Sequence, residues 1–84
     1  MSVIITIRAF AIYREILGKD ELSLNIENNS TVEDVLEHLK RLYPKTSSLI
    51  NISMFAVNQQ YREISHILID HDELALIPPV SGGK

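Results

Sequence analysis

The start of the chain alternates hydrophobic and polar residues with the period of a β-strand. Residues 3–10 alternate between two faces, and β-branched residues dominate them, as is typical of strands. Residues 21–26 repeat the pattern, with Leu22, Leu24 and Ile26 on one face. The segment 14–20 between them is predicted to be a turn region, so the two strands form a hairpin.

The clearest helix is predicted in the segment "STVEDVLEHLKRLYP". Ser30 or Thr31 can cap it, and Glu33 or Asp34 three residues later can complete a capping box. Pro44 ends the pattern. The apolar positions that share one helical face are Val32, Val35, Leu36, Leu39, Leu42 and Tyr43.

The second half of the chain predicts further strands. Residues 45–53 are predicted as a loop with room for one helical turn, Met54–Asn58 as a strand, and Gln59–Gln60 as a turn. Tyr61–Ile64 is a candidate short edge strand, and Glu73–Ile77 a final strand. The order β-β-α-β-(β)-β predicts an α+β fold, in which a mixed sheet packs one face against one main helix. A ubiquitin-like β-grasp has this order.

Composition narrows the class of protein. The chain has 84 residues, enough for one domain, which we place at residues 1–77 with a tail at 78–84. Its net charge is −3, and it has no cluster of Lys and Arg, which argues against nucleic acid and membrane as partners. Cysteine is absent, which excludes disulfides and thiolate chemistry. Residues 2–13 lack the features of a signal peptide, so we expect a cytoplasmic protein.

The tail "PPVSGGK" suggests chemistry at the backbone. Pro78 and Pro79 favour an extended conformation that leads the chain away from the last strand. Gly82 and Gly83 have no side chains, so they fit a channel no wider than a backbone. A terminal Gly83 carboxylate would be unhindered and could be activated with ATP. The alternative is a frayed terminus with incidental glycines.

Several segments resemble the small subunits of molybdopterin synthase, which belong to the β-grasp sulfur carriers. They are "FAIYREILG" from Phe10 to Gly18, the helix positions Thr31, Val32, Leu36 and Leu39, Val57-Asn58-Gln59, "DELA" at 72–75, and the ending Pro78-Pro79-Val80-Ser81-Gly82-Gly83. They occur in order along nearly the whole chain. The Pro-Pro-Val-x-Gly-Gly ending is the most specific of them.

The resemblance implies a carrier with little catalytic machinery of its own. In that family an E1-like adenylating enzyme uses ATP to activate the terminal glycine, which then becomes a thiocarboxylate. The tail enters the large subunit of molybdopterin synthase, a hetero-oligomer, and gives its sulfur to cyclic pyranopterin monophosphate. Gly83 would carry the sulfur, Gly82 would allow passage, Pro78 and Pro79 would set the reach, and Val80 and Ser81 complete the tail. This chain would itself bind no cofactor.

Two positions depart from the family pattern. Members normally end at the second glycine, but here Lys84 follows Gly83. Because a peptide bond to lysine cannot be adenylated, we expect Lys84 to be removed before activation; otherwise the chain is inactive as written. His71 stands where the family commonly has glycine, and because histidine tolerates a left-handed backbone less well, we expect that turn to be rebuilt.

Strand parity predicts a partner-binding surface. If Val3, Ile5 and Ile7 face the helix, Phe10 and Ile77 lie on the opposite face near the root of the tail. Tyr61 could join them, and Arg14 could pair with acidic groups on a partner. Exposed apolar patches often mark docking surfaces, although a β-bulge would bury Phe10 and Ile77 instead.

No metal site or stand-alone active site is predicted. His38, His66 and His71 lack ligand spacing, and no segment resembles a nucleophile elbow. Three other functions stay open: a sulfur carrier for thiamine or tRNA thiolation, a ubiquitin-like protein modifier, and an interaction domain without transfer chemistry.

Overall fold

The computed structural model describes residues 1–79. The elements, in chain order, are β1 (Ser2–Ala9), α1 (Ile12–Leu17), β2 (Glu21–Glu27), α2 (Val32–Leu42), a 3₁₀ turn (Pro44–Thr46), α3 (Ser47–Ile50), β3 (Met54–Val57), β4 (Gln60–Tyr61) and β5 (Glu73–Ile77). The predicted order of strands around one main helix is confirmed. The helix α1 is an addition to it.

The strands form one mixed sheet in the order β2-β1-β5-β3-β4. β1 pairs antiparallel with β2, as predicted, although α1 and not a turn connects the two strands. β1 also pairs parallel with β5 at the centre of the sheet. β3 pairs antiparallel with both β5 and β4. Because β1 and β5 are parallel neighbours, the carboxyl ends of both strands lie at the same end of the sheet, and the tail leaves there.

One face of the sheet packs against α2. Ile5 and Ile7 of β1, Leu74 and Leu76 of β5, and Leu39 of α2 are completely buried in a single core. The period-2 pattern of the strands and the 3.6-residue pattern of the helix thus meet at one interface, as the sequence predicted. The opposite face of the sheet is not covered by any helix of the described residues.

The cap at the start of α2 follows the prediction. The Thr31 hydroxyl accepts a hydrogen bond from the Asp34 backbone N–H at 3.2 Å, and the Asp34 carboxylate accepts one from the Thr31 N–H at 2.9 Å. At the other end the prediction for Leu42 is wrong: this residue is 52% exposed. It lies in the last turn, where Pro44 redirects the chain before the apolar face can reach the sheet.

The segment 14–20 was wrongly predicted as a turn. It contains most of α1, which buries Tyr13 and Leu17 one turn apart and ends at Gly18. Gly18 has φ 79° and donates its N–H to the Arg14 carbonyl at 2.9 Å. This left-handed end favours glycine. The helix has only six residues, so its periodic signal is short.

Two further turns differ from the prediction. The turn between β3 and β4 is Asn58–Gln59, both with positive φ, and Gln60 already belongs to β4. The turn at His71 is not rebuilt, because His71 itself has φ 70°. Its N–H donates to the Ile4 carbonyl at 2.7 Å, and its side chain is exposed. The backbone bond holds the turn despite the histidine.

Candidate functional site: the open face of the sheet and the root of the tail

The open face of the sheet carries a shallow groove near the start of the tail. It has a volume of about 320 Å³ and crosses β1, β5, β3 and β4. The residues that line it are Arg8, Phe10, Ala56, Gln59, Tyr61, Glu73, Ala75 and Ile77. Phe10, Tyr61 and Ile77, which strand parity placed on one surface, therefore meet in one groove.

These three side chains differ in how far they are exposed. Tyr61 is 64% exposed and Phe10 is 44% exposed, while Ile77 is half-buried. Phe10 follows β1 directly, and Ile77 is the last residue of β5. The groove therefore presents apolar surface beside the point where the tail begins, although part of Phe10 is already covered. Their role in binding a partner stays a prediction.

Among residues 1–79, Arg8 supplies the only basic group of the groove lining, and neighbouring carboxylates offset its charge. Its Nη1 lies 2.9 Å from Glu21 Oε2 and 3.5 Å from Glu73 Oε2. The guanidinium carbon lies 5.9 Å from the centre of the Phe10 ring, within cation–π range. Since both partners of these ion pairs are partly exposed, the pairs add little stability. Phe10 thus lies beside a guanidinium whose charge is already matched by two carboxylates. This arrangement favours apolar contact in the groove.

The root of the tail is fixed by the sheet. Ala9 of β1 pairs with Leu76, and Met54 of β3 pairs with Ile77. Pro78 is half-buried and Pro79 is exposed, so the chain is anchored up to the first proline. The predictions for Val80, Ser81, Gly82 and Gly83 lie outside the described residues.

Arg14 is brought to a different place. It is an exposed residue of α1 and does not line the groove. Its proposed contact with an acidic partner group stays a prediction.

Sequence reasoning missed two exposed apolar residues at this end of the molecule. Ile12, the first residue of α1, is 39% exposed, and Met54, the first residue of β3, is 56% exposed. Met54 could have been found, because it pairs with Ile77 once the strand order is known. Ile12 could not, because α1 was not predicted.

Other kinds of site find no support among residues 1–79. No group of three or more His, Asp or Glu side chains in this part of the chain is placed to hold a metal ion. None of its helices is long and apolar enough to cross a membrane.

The comparison with protein families gives one match, which includes the tail. The description of the matching family is "ThiS family", and the match covers residues 7–83. The chain belongs to the ThiS family. The predicted membership among the β-grasp sulfur carriers is thereby confirmed.

Relatives within the ThiS family include named carrier subunits. The chain is 40% identical to a molybdopterin synthase sulfur carrier subunit of Dictyostelium discoideum, over 99% of this chain and 100% of the relative. It is 37% identical to the subunit of the same name from Arabidopsis thaliana, over 98% of this chain and 85% of the relative. Both similarities extend over nearly the full chain.

The fold of this ThiS family member is shared with a protein of another name. The solution structure of small archaeal modifier protein 1 from Methanosarcina acetivorans superimposes with a TM-score of 0.83, at 27% identity, over 99% of both chains. The ubiquitin-like β-grasp fold predicted from the sequence is confirmed.

Proposed function

We propose that this chain is the sulfur carrier subunit of a molybdopterin synthase and acts in the cytoplasm. One observation carries the proposal: two relatives named as that subunit, 40% and 37% identical, match it over nearly all of its length. The ThiS family match extends through Gly83, the residue whose carboxylate the chemistry requires.

The reaction proceeds on the backbone of Gly83. With Lys84 removed, the Gly83 carboxylate attacks the α-phosphorus of ATP in an E1-like adenylating enzyme, and pyrophosphate leaves. Sulfide supplied by a donor then attacks the carbonyl carbon of Gly83, AMP leaves, and a thiocarboxylate results. In the large subunit this sulfur passes to cyclic pyranopterin monophosphate, and water restores the carboxylate. The chain needs no cysteine and no cofactor of its own, since ATP is consumed by the activating partner.

The domain presents the tail in two ways. β5 is a central strand, bonded on both sides by β1 and β3, so the root of the tail cannot swing freely. The groove with Phe10, Tyr61 and Ile77 gives the partner an apolar surface beside that root. Gly83 is four residues beyond Pro79, so it reaches at most about 14 Å from the described domain. A partner that receives Gly83 must therefore contact this end of the sheet.

Intact mass spectrometry tests the activation step. The chain ending at Gly83 and the chain retaining Lys84 are incubated in parallel with an E1-like adenylating enzyme, ATP and a sulfur donor. We expect one oxygen atom to be replaced by sulfur in the chain ending at Gly83, and no change in the chain with Lys84. If both masses stay unchanged while a known carrier is converted by the same enzyme, the proposal is wrong.

A ubiquitin-like modifier is the second candidate function. The observation that favours it is the match to small archaeal modifier protein 1 over 99% of both chains. The two candidates share the adenylation step and differ in what accepts Gly83. The thiocarboxylate form is therefore mixed with the large subunit and cyclic pyranopterin monophosphate. Molybdopterin formation supports the carrier, whereas isopeptide conjugates to lysines in a cell lysate without molybdopterin formation would support the modifier.

A further inference from the structure

The strand β2 forms a long, unpaired edge of the sheet. It stands first in the order β2-β1-β5-β3-β4, so within residues 1–79 only one of its two sides pairs with another strand. Its seven residues pair with β1 in one constant register that contains no bulge and no proline. The strand at the other edge, β4, has only two residues. Since a long, regular edge can pair with a strand of another molecule, β2 is the edge of this sheet that is open to such pairing.

The hydrogen bonds to β1 determine which backbone groups of β2 point outward. The Asn28 N–H donates to the Met1 carbonyl at 2.8 Å, and the Ala9 N–H donates to the Asp20 carbonyl at 2.9 Å. These bonds lie at the two ends of the constant register between the strands. Because hydrogen-bonded pairs recur at every second residue of an antiparallel ladder, the even-numbered residues of β2 bond to β1. The odd-numbered residues direct their N–H and C=O groups away from β1. We call them the free edge; they are Glu21, Ser23, Asn25 and Glu27.

The side chains on the two faces of this edge differ in character. Those of the free edge lie on the open face of the sheet, and all four are polar and exposed. Leu22 and Leu24 face the core side but are only half-buried, because within residues 1–79 no strand lies beyond them. A strand added to this edge would therefore cover apolar surface with every second side chain and meet polar groups with the others.

A groove beside β2 offers an added strand further contacts. It has a volume of about 700 Å³ and is lined by the carboxyl end of β2 and one side of α2. Asn25 and Glu27 of the free edge belong to this lining, together with the buried apolar residues Ile26 and Val35. The groove therefore continues from the free edge toward the helix and gives room for side chains that face α2.

Negative charge along this side of β2 selects the occupant. Glu27 makes no ion pair within residues 1–79, whereas Glu21 lies 2.9 Å from Arg8. The groove lining adds two carboxylates, one imidazole and one guanidinium, those of Asp34, Glu37, His38 and Arg41. A second copy of the chain fits poorly, because antiparallel pairing over the whole free edge would place Glu21 opposite Glu27 of the copy, and like charges in that position are destabilising. Lysine or arginine opposite Glu27 would instead match its charge.

We propose that the free edge of β2 binds an extended segment of a partner protein by strand addition. The segment alternates apolar residues, which face Leu22, Leu24 and α2, with polar residues on the open face, and it carries Lys or Arg opposite Glu27. The added strand lies three strand spacings, about 14 Å, from β5. It therefore leaves the root of the tail uncovered, and this surface is separate from the groove that contains Phe10. The inference does not depend on the proposed function.

Capped heptapeptides titrated into the full, ¹⁵N-labelled chain and followed by NMR test this inference. In the peptide Lys-Val-Thr-Val-Thr-Val-Lys, the valines share one face, and the lysines lie opposite Glu21 and Glu27 when it pairs antiparallel with β2. We expect the amide signals of the free edge to shift, because their N–H groups gain acceptors. The signals of Leu22 and Leu24 should shift less, because their N–H groups already bond to β1. With Glu in place of both lysines, binding should weaken about tenfold, since each exposed charge pair changes affinity up to about fivefold.

Two matched comparisons separate strand addition from unspecific attraction. Glu27→Lys and Glu63→Lys change the net charge equally, but Glu63 is exposed beyond β4, at the other edge of the sheet. Only Glu27→Lys should lose the preference for the lysine peptide. In the peptide itself, N-methylation of both threonines is compared with N-methylation of two valines. Because alternate N–H groups of an added strand point toward and away from β2, one of these sets should weaken binding strongly and the other little.

Each outcome of these titrations decides for or against the free edge. Alternating shifts along β2, a preference for the lysine peptide that depends on Glu27, and unequal effects of the two methylated sets support the inference. Equal affinity for the lysine and glutamate peptides overturns it, as do equal effects of methylation or no saturable binding at millimolar peptide. Signals of the free edge that shift with the concentration of the chain alone would make a second copy the occupant and would also overturn it.

Discussion

Replacing Tyr13 with Phe is expected to destabilise the domain by one buried hydrogen bond. Tyr13 is completely buried, and its hydroxyl lies 2.6 Å from Ser53 Oγ. Ser53 donates its own hydrogen to the Leu49 carbonyl at 2.7 Å. Since a serine hydroxyl has one hydrogen, Tyr13 must be the donor to Ser53. The bond ties α1, which carries the exposed residue Ile12, to the connection between α3 and β3.

The magnitude follows from the loss of this single bond. A net hydrogen bond of this kind contributes about 1 kcal/mol to the free energy of unfolding. In a domain of this size that lowers the melting temperature by about 4–8 °C. Tyr43→Phe is the matched control, because Tyr43 is half-buried and its hydroxyl has no hydrogen-bond partner within residues 1–79. We expect that control to melt close to the parent.

The difference between the parent and Tyr13→Phe is also expected to depend on pH. Burial raises the pKa of Tyr13 above its ordinary value of 10.0. Above pH 10 the unfolded chain therefore ionises this tyrosine while the folded chain does not, and the parent loses stability as the pH rises. The slope is at most about 1.4 kcal/mol per pH unit. The variant has no such group, so the advantage of the parent shrinks above pH 10.

Thermal melts of the parent, Tyr13→Phe and Tyr43→Phe between pH 7 and pH 11 measure both effects. The reasoning is refuted if Tyr13→Phe melts with the parent at pH 7. It is refuted equally if the difference between them is the same at pH 7 and pH 11.

Two further predictions concern the groove and the turn before β5. About 90 Å² of the Phe10 side chain, which has roughly 200 Å² in all, is exposed. Phe10→Ala should therefore weaken binding to the large subunit by about 2 kcal/mol, or thirtyfold, in calorimetric titrations. Unchanged affinity would mean that Phe10 is not part of the docking surface. Asp72 is buried and accepts 2.8 Å hydrogen bonds from Asn58 Nδ2 and the Ile69 N–H, so Asp72→Ala should cost about 3 kcal/mol in urea unfolding. Asp70→Ala removes an exposed hydrogen bond from the Ile4 N–H and an exposed contact with His71, so it should cost about 1 kcal/mol. Equal losses for the two variants would contradict this account.

The elements with long periodic patterns could be predicted from the sequence. β1 and β2 alternate over seven or eight residues, and α2 has an apolar face of several turns with its own capping box. α1 could not be predicted in the same way. Its six residues give one buried pair, Tyr13 and Leu17, and its end at Gly18 is equally typical of a turn. What stabilises α1 is packing against the core and the bond to Ser53, forty residues away.

The candidate site was predictable in part. The tail and its proposed chemistry were inferred from consecutive residues, because Pro-Pro and Gly-Gly act on the backbone itself. Parity placed Phe10 and Ile77 on one face. How close they lie to Tyr61 depended on the order of the strands in the sheet, and the alternation of residues along a single strand does not reveal that order. The positive φ of Ala11, which is 51°, had no signal in the sequence, because alanine is compatible with almost any local structure.

The sequence by itself determined the strands, the main helix, the face that each buries and the tail that we propose carries the sulfur, because each depends on residues that are neighbours along the chain. The tertiary structure decided what depends on residues far apart. It placed β1 beside β5, so that Phe10 meets Ile77 at the root of the tail. It also kept His71 and Ala11 in left-handed conformations that their own preferences oppose. The physical reason is that local propensity acts within a few residues, whereas pairing and packing are shared by the whole domain and outweigh it where the two conflict.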